Sequence, residues 1–124
     1  MKRSLLLLGS LFAFFGVAFG AFGAHGLKAI LAPDMLAIFD TAVRYQIYHA
    51  FGIIIASFLA EEHRLAGTAG RLFGVGILLF SGSLYVLSLT GIRSFGIVTP
   101  FGGFCFLGGW YLLFLAAYKM QKER

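Results

Sequence analysis

The chain has 124 residues, enough for one domain, and 60% of them are hydrophobic while only 12% are charged. Soluble domains average roughly 45–50% and roughly 25%, and the mean hydropathy here is +0.90. So few charges cannot coat a water-soluble globule, which excludes a soluble enzyme, a disordered tail and a nucleic-acid reader. The net charge of +5 comes from basic residues at the ends of apolar runs, as in membrane proteins.

A bilayer core of roughly 30 Å needs about 20 helical residues. Four segments reach that length, which predicts an all-α integral membrane protein: one domain, residues 1–124, with four transmembrane helices. The first covers residues 5–24 and carries no charge. Lys2 and Arg3 before it, and Ala18, Phe19 and Gly20 within it, have some features of a signal peptide. The run exceeds the roughly 7–15 residues of a signal core, so it is expected to stay as a span. Residues 25–40 are too apolar for a free loop. Leu27, Ile30, Leu31, Met35, Leu36 and Phe39 alternate there with Lys28, Asp34 and Asp40 at helical intervals. That pattern predicts an amphipathic segment along the outer interface, broken near Pro33.

The second span covers 41–60 and stops at Glu61, Glu62, His63 and Arg64. It opens with TAVRYQIYHA, too polar for a lipid-facing turn. Helical spacing puts Asp40, Arg44 and Tyr48 on one face, flanked by Thr41, Tyr45 and His49, with Gln46 further round. Asp40 is the natural partner of Arg44, and Tyr45, Tyr48 and His49 are expected to help hold the arginine inside the protein. His49 falls near mid-membrane, about 12 Å from Thr41 by helical rise. A polar turn at 61–70 leads to the third span, 72–89, where Ser81, Tyr85 and Ser88 form one stripe. A loop at 90–98, bent by Gly91 and Gly96, leads to the fourth span, 99–118. Thr99 is placed to cap that helix and Pro100 suits its first turn.

Lipid gives helices no hydrophobic reason to associate, so close backbone approach at small residues must supply it. Gly16, Gly20, Gly23, Gly82, Gly102 and Gly103 are the expected packing positions. Gly16 and Gly20 form a GxxxG pair that serves either the chain's own bundle or a second copy. Intramembrane polar residues should face inward and be bonded. The candidate cluster is His25, Asp40, Arg44, Tyr45, Gln46, Tyr48, His49, Ser81 and Tyr85. It reads as an interhelical hydrogen-bond network, as a binding site or path for a small solute, ion or lipid headgroup, or as haem ligation by His25 and His49. The two histidines differ in depth by about eight residues' rise, and Tyr or Asp could satisfy either. Cys105 is the single cysteine and no zinc-ligand spacing occurs, so no catalytic residue, metal or cofactor is expected.

Lys2, Arg3, Arg64, Arg71, Lys119, Lys122 and Arg124 lie on one side of the four spans, and Lys28, Arg44 and Arg93 on the other. The positive-inside rule then predicts a multi-pass protein of the cell inner membrane with both termini cytoplasmic.

GAFGAHGL, TAVRYQIYHA, LFSGSLYVLSLTG and VTPFGG follow one another along the chain. Together they resemble the small bacterial membrane proteins of domain-of-unknown-function family 423, which has a eukaryotic transmembrane relative. The matching positions include Gly23, His25, Gly26, Tyr45, Gln46, His49, Ser81, Tyr85, Thr99 and Pro100. The resemblance implies a four-helix inner-membrane protein and carries no activity with it. The expected function is non-enzymatic: a structural, assembly or accessory protein whose partners are the lipid bilayer and a second copy of itself. The alternative is an oligomeric transporter or channel. A redox or lipid-modifying enzyme built on the His, Tyr and Arg cluster is disfavoured by the short loops.

Overall fold

The computed structural model describes residues 1–123, with side chains through Met120. Arg124, counted above among the inner basic residues, lies outside the described residues, as does the side chain of Lys122. Every regular element among the described residues is helical. They are α1 (Arg3–His25), a 3-10 turn (Leu27–Ala29), α2 (Pro33–Leu59), α3 (Arg64–Gly76), a π turn (Ile77–Ser81), α4 (Gly82–Thr90), a second 3-10 turn (Arg93–Ile97) and α5 (Thr99–Glu123). The third helix, the π turn and α4 run on as one rod, Arg64–Thr90, so that 4 helical stretches are long and apolar enough to cross a membrane.

Two boundaries differ from the sequence expectation. Pro33 does not break a helix but opens α2, after Ala32 in extended conformation. A first-turn proline lacks only an N–H that would go unused there. The supposed interfacial segment is therefore a short 3-10 turn followed by the outer end of α2, whose 27 residues rise about 40 Å. The third span begins at Arg64 rather than 72, which reduces the expected 61–70 turn to three residues. His63 starts it: its Nδ1 accepts the Leu65 N–H at 3.1 Å. Arg64, Thr68 and Arg71 share one helical face, and Arg71 donates to the Thr68 hydroxyl at 3.2 Å. Read linearly, these polar residues resemble a loop.

The central helix is α2, packed against α1 on one side and α3 and α4 on the other, while α5 packs mainly on α3. Half of the apolar stretch of α2 is buried, against 17% for the stretches containing α1 and α5, which makes those two the outer helices. Leu5, Ile53, Phe73, Ile77 and Phe106 form the main core. Leu27, Phe39 and Val43 form a second one at the outer end. The Lys2 N–H donates to the Ser57 carbonyl at 2.7 Å, tying the start of α1 to the end of α2.

Close approach explains the glycine pattern. A Cβ on Gly16 would lie 2.6 Å from Ile47, and Gly20 and Gly23 face Val43 and Phe39. The GxxxG pair therefore packs inside the chain, against α2, and not against another subunit. Gly102 sits on the Phe80 backbone, where no side chain fits. Gly82 and Gly103 meet nothing within 4 Å, so they do not pack these helices together. Gly76 and Gly109 do so instead, against the rings of Phe106 and Phe73. Gly91 ends α4 with φ 74°, the left-handed conformation that favours glycine.

Candidate functional site

The predicted polar cluster divides into two buried centres and an exposed outer rim. The first centre is Gln46, buried on α2. Its amide donates to the Phe12 carbonyl of α1 at 2.8 Å, and its carbonyl accepts the Tyr85 hydroxyl of α4 at 2.6 Å. One side chain thus joins three helices. Beside it the Ser81 hydroxyl, fully buried in the π turn, donates to the Ala42 carbonyl at 2.7 Å. Ser88 bonds only within its own helix, to the Tyr85 carbonyl.

His49 makes the second centre. The Trp110 indole N–H of α5 donates to its Nε2 at 3.0 Å, and its Nδ1 lies 2.7 Å from the Tyr45 carbonyl. A nitrogen that accepts from Trp110 carries no hydrogen, so the hydrogen sits on Nδ1 and bonds Tyr45. The ring stacks on Phe106 with centroids 3.5 Å apart. Both nitrogens are engaged, and His25 is exposed at the far end of α1 with no bonded partner. The structure therefore does not bring the two histidines together for haem ligation.

At the rim, Arg44 Nε donates to Asp40 Oδ2 at 2.8 Å, and Nη2 reaches the same oxygen. Asp40 is the only residue bonded to Arg44: Tyr45 packs on Phe80 at 4.7 Å, Tyr48 lies against Tyr45, and His49 points to α5. The arginine is 61% exposed, which corrects the expectation that several partners hold it inside. A second rim pair was not anticipated: Arg93 donates to Asp34 at 3.1 Å, joining the loop before α5 to the start of α2. Trp110 was also missed, although it is the single tryptophan and the one indole donor in a span. Thr99, expected as a cap, lies 2.6 Å from the Ser83 hydroxyl. Because Ser83 gives its own hydrogen to the Phe80 carbonyl, Thr99 is the donor.

No buried side-chain nitrogen or oxygen among the described residues lacks a hydrogen-bond partner. No three His, Cys, Asp or Glu side chains among them converge as metal ligands would. What remains open is lateral. A groove of about 460 Å³ between α2 and α5 is lined by Tyr45, His49, Phe80, Gly103, Phe106 and Trp110 among others. A second, of about 270 Å³, has Gln46 and Tyr85 in its wall between α1 and α4. A third, of about 360 Å³, lies at the outer end between α1 and α2.

The family model described as "Protein of unknown function (DUF423)" matches residues 19–103. The UPF0382 membrane protein YwdK of Bacillus subtilis is 44% identical over 120 residues, covering 94% of this chain and 98% of the relative. The chain belongs to the DUF423 membrane-protein family. A Staphylococcus haemolyticus UPF0382 membrane protein is 41% identical, covering 94% of this chain and 97% of its own length. One from Haemophilus influenzae is 39% identical, with 98% and 99% covered. The DUF423 match spans Gln46, His49, Ser81 and Tyr85 and ends just before Phe106 and Trp110. No solved structure matches the chain.

Proposed function

We propose that this protein is a non-enzymatic structural or accessory protein of the cell inner membrane, with both termini cytoplasmic. One observation carries the reading: the mid-membrane polar side chains are consumed in joining helices. Gln46 uses its amide on Phe12 and its carbonyl on Tyr85, and His49 uses both nitrogens. A transport path or catalytic centre needs polar groups free to meet a solute, whereas a dry and satisfied network fixes register. The orientation rests on the basic-residue asymmetry of the sequence.

The accessory role falls to the outward surface of α5. Gly103, Leu107 and Phe114 follow one another along it, all three open or only partly covered. Small and large apolar residues on such a face let another helix approach closely, and a second copy of the chain is the simplest partner. The conduction alternative is tested by flux. Liposomes containing the protein should pass protons and potassium no faster than protein-free liposomes. A protein-dependent flux that His49→Phe or Gln46→Leu abolishes would replace this reading with the transporter one.

A further inference from the structure

Charge at the outer end of the bundle does not balance. Asp40 is taken by Arg44 and Asp34 by Arg93. These are the two carboxylates of that end, and Lys28 pairs with neither. It lines the groove of about 360 Å³ between α1 and α2, a volume within the range of ligand sites. The floor below it is apolar: Gly20 and Gly23 bring α1 close to Val43 and Phe39, and Leu36 and Ala37 continue the wall.

Asp40 also borders the groove. Arg44 bonds its Oδ2 through two nitrogens, so Oδ1 keeps its capacity to accept. The groove therefore offers an ammonium, a carboxylate oxygen and an apolar slot at the level where lipid headgroups begin.

We propose that this groove binds a phosphatidylethanolamine, with its phosphate on Lys28, its ammonium on Asp40 Oδ1 and one acyl chain against the apolar floor. Lys28 alone would suit any phosphate. The carboxylate makes the choice: it attracts a primary ammonium with N–H groups to donate, finds no N–H on a choline, and gains no ion pair from a phosphatidylglycerol. The site is independent of the accessory reading above. A flux that overturned that reading would leave lipid retention unchanged.

Native mass spectrometry of the purified protein in mild detergent tests it, using phosphatidylethanolamine, phosphatidylglycerol and phosphatidylcholine with matched chains. The parent should retain phosphatidylethanolamine in preference to the other two. Lys28→Ala should weaken that retention about tenfold, as for one charge-assisted contact. Asp40→Asn should erase the preference over phosphatidylglycerol, and Ala37→Leu, which fills the slot, should lower retention of all three. Lys28 and Ala37 are exposed, so neither change disturbs the core. Equal retention of the three lipids by the parent, or unchanged phosphatidylethanolamine retention in Lys28→Ala, would overturn the assignment.

Discussion

Tyr85 donates its hydroxyl to Gln46 across 39 positions of sequence, at 2.6 Å, while the same glutamine donates to the Phe12 carbonyl of a third helix. This pair is the joint about which α1, α2 and α4 are registered. Its strength is bounded by what interhelical hydrogen bonds contribute in membranes, about 0.5–2 kcal/mol each.

Tyr85→Phe should destabilise the protein by about 1 kcal/mol, because Gln46 keeps its place but loses a donor. Gln46→Leu should cost more, since it strands both the Tyr85 hydroxyl and the second bond to Phe12. The double variant should cost less than the sum of the two, the mark of a shared bond. Thermal unfolding in a fixed detergent measures all three. Additive losses would separate the residues.

His49→Leu should strand the Trp110 indole N–H and cost about 1–3 kcal/mol. Trp110 is the single tryptophan, so its fluorescence reports the bond directly: the emission maximum should shift in His49→Leu and stay unchanged in His25→Leu. Purified parent protein should show no Soret band, since both His49 nitrogens are engaged.

Arg44→Ala and Arg93→Ala should each cost no more than about 1 kcal/mol, because both arginines are exposed and each has one carboxylate. This reverses the expectation from sequence that Arg44 would matter far more. A melting temperature for Arg44→Ala as low as that for Gln46→Leu would show that the pair is worth more than its exposure implies.

Adjacent glycines give a sharp contrast. Gly102→Ala places a methyl group against the Phe80 backbone and should destabilise by about 1–3 kcal/mol. Gly103→Ala meets nothing within 4 Å and should be neutral or stabilising by up to about 1 kcal/mol. For self-association, Gly103→Leu should weaken any dimer seen by native mass measurement. Gly16→Leu should instead damage the monomer, through its contact with Ile47.

Orientation is tested with single cysteines in a Cys105→Ser background. Ser94→Cys should react with an impermeant thiol reagent on intact cells, and Glu62→Cys only after permeabilisation. Both positions are exposed and lie between spans. Ala66, inside the expected 61–70 turn, is fully buried in α3 and would not serve. Outside labelling of position 62 would invert the topology.

The four spans were legible because length and apolarity decide them without tertiary contacts. Gln46, His49, Ser81 and Tyr85 were legible as residues that lipid would not tolerate. Their pairing was not, because it depends on how far each helix turns about its axis, which α1 settles through the side that Gly16 and Gly20 press on α2. Trp110 escaped notice because an indole counts as apolar in any hydropathy sum, and its one N–H matters only once α5 is laid against His49. Arg44 misled for the opposite reason. Its charge drew attention, although a long side chain near a helix's outer end can leave the bundle while its stem stays among apolar neighbours.

The π turn at Ile77–Ser81 makes the third rod intolerant of a change in length. A π turn accommodates one residue more than regular helix would. Deleting a residue there would let the rod relax to ordinary pitch and swing everything after it by about 100°. Tyr85 would leave Gln46, Ser83 would leave Thr99, and the slot in which Gly102 meets Phe80 would close. A point substitution removes one contact, whereas a one-residue deletion would put all of α4 out of phase with its neighbours.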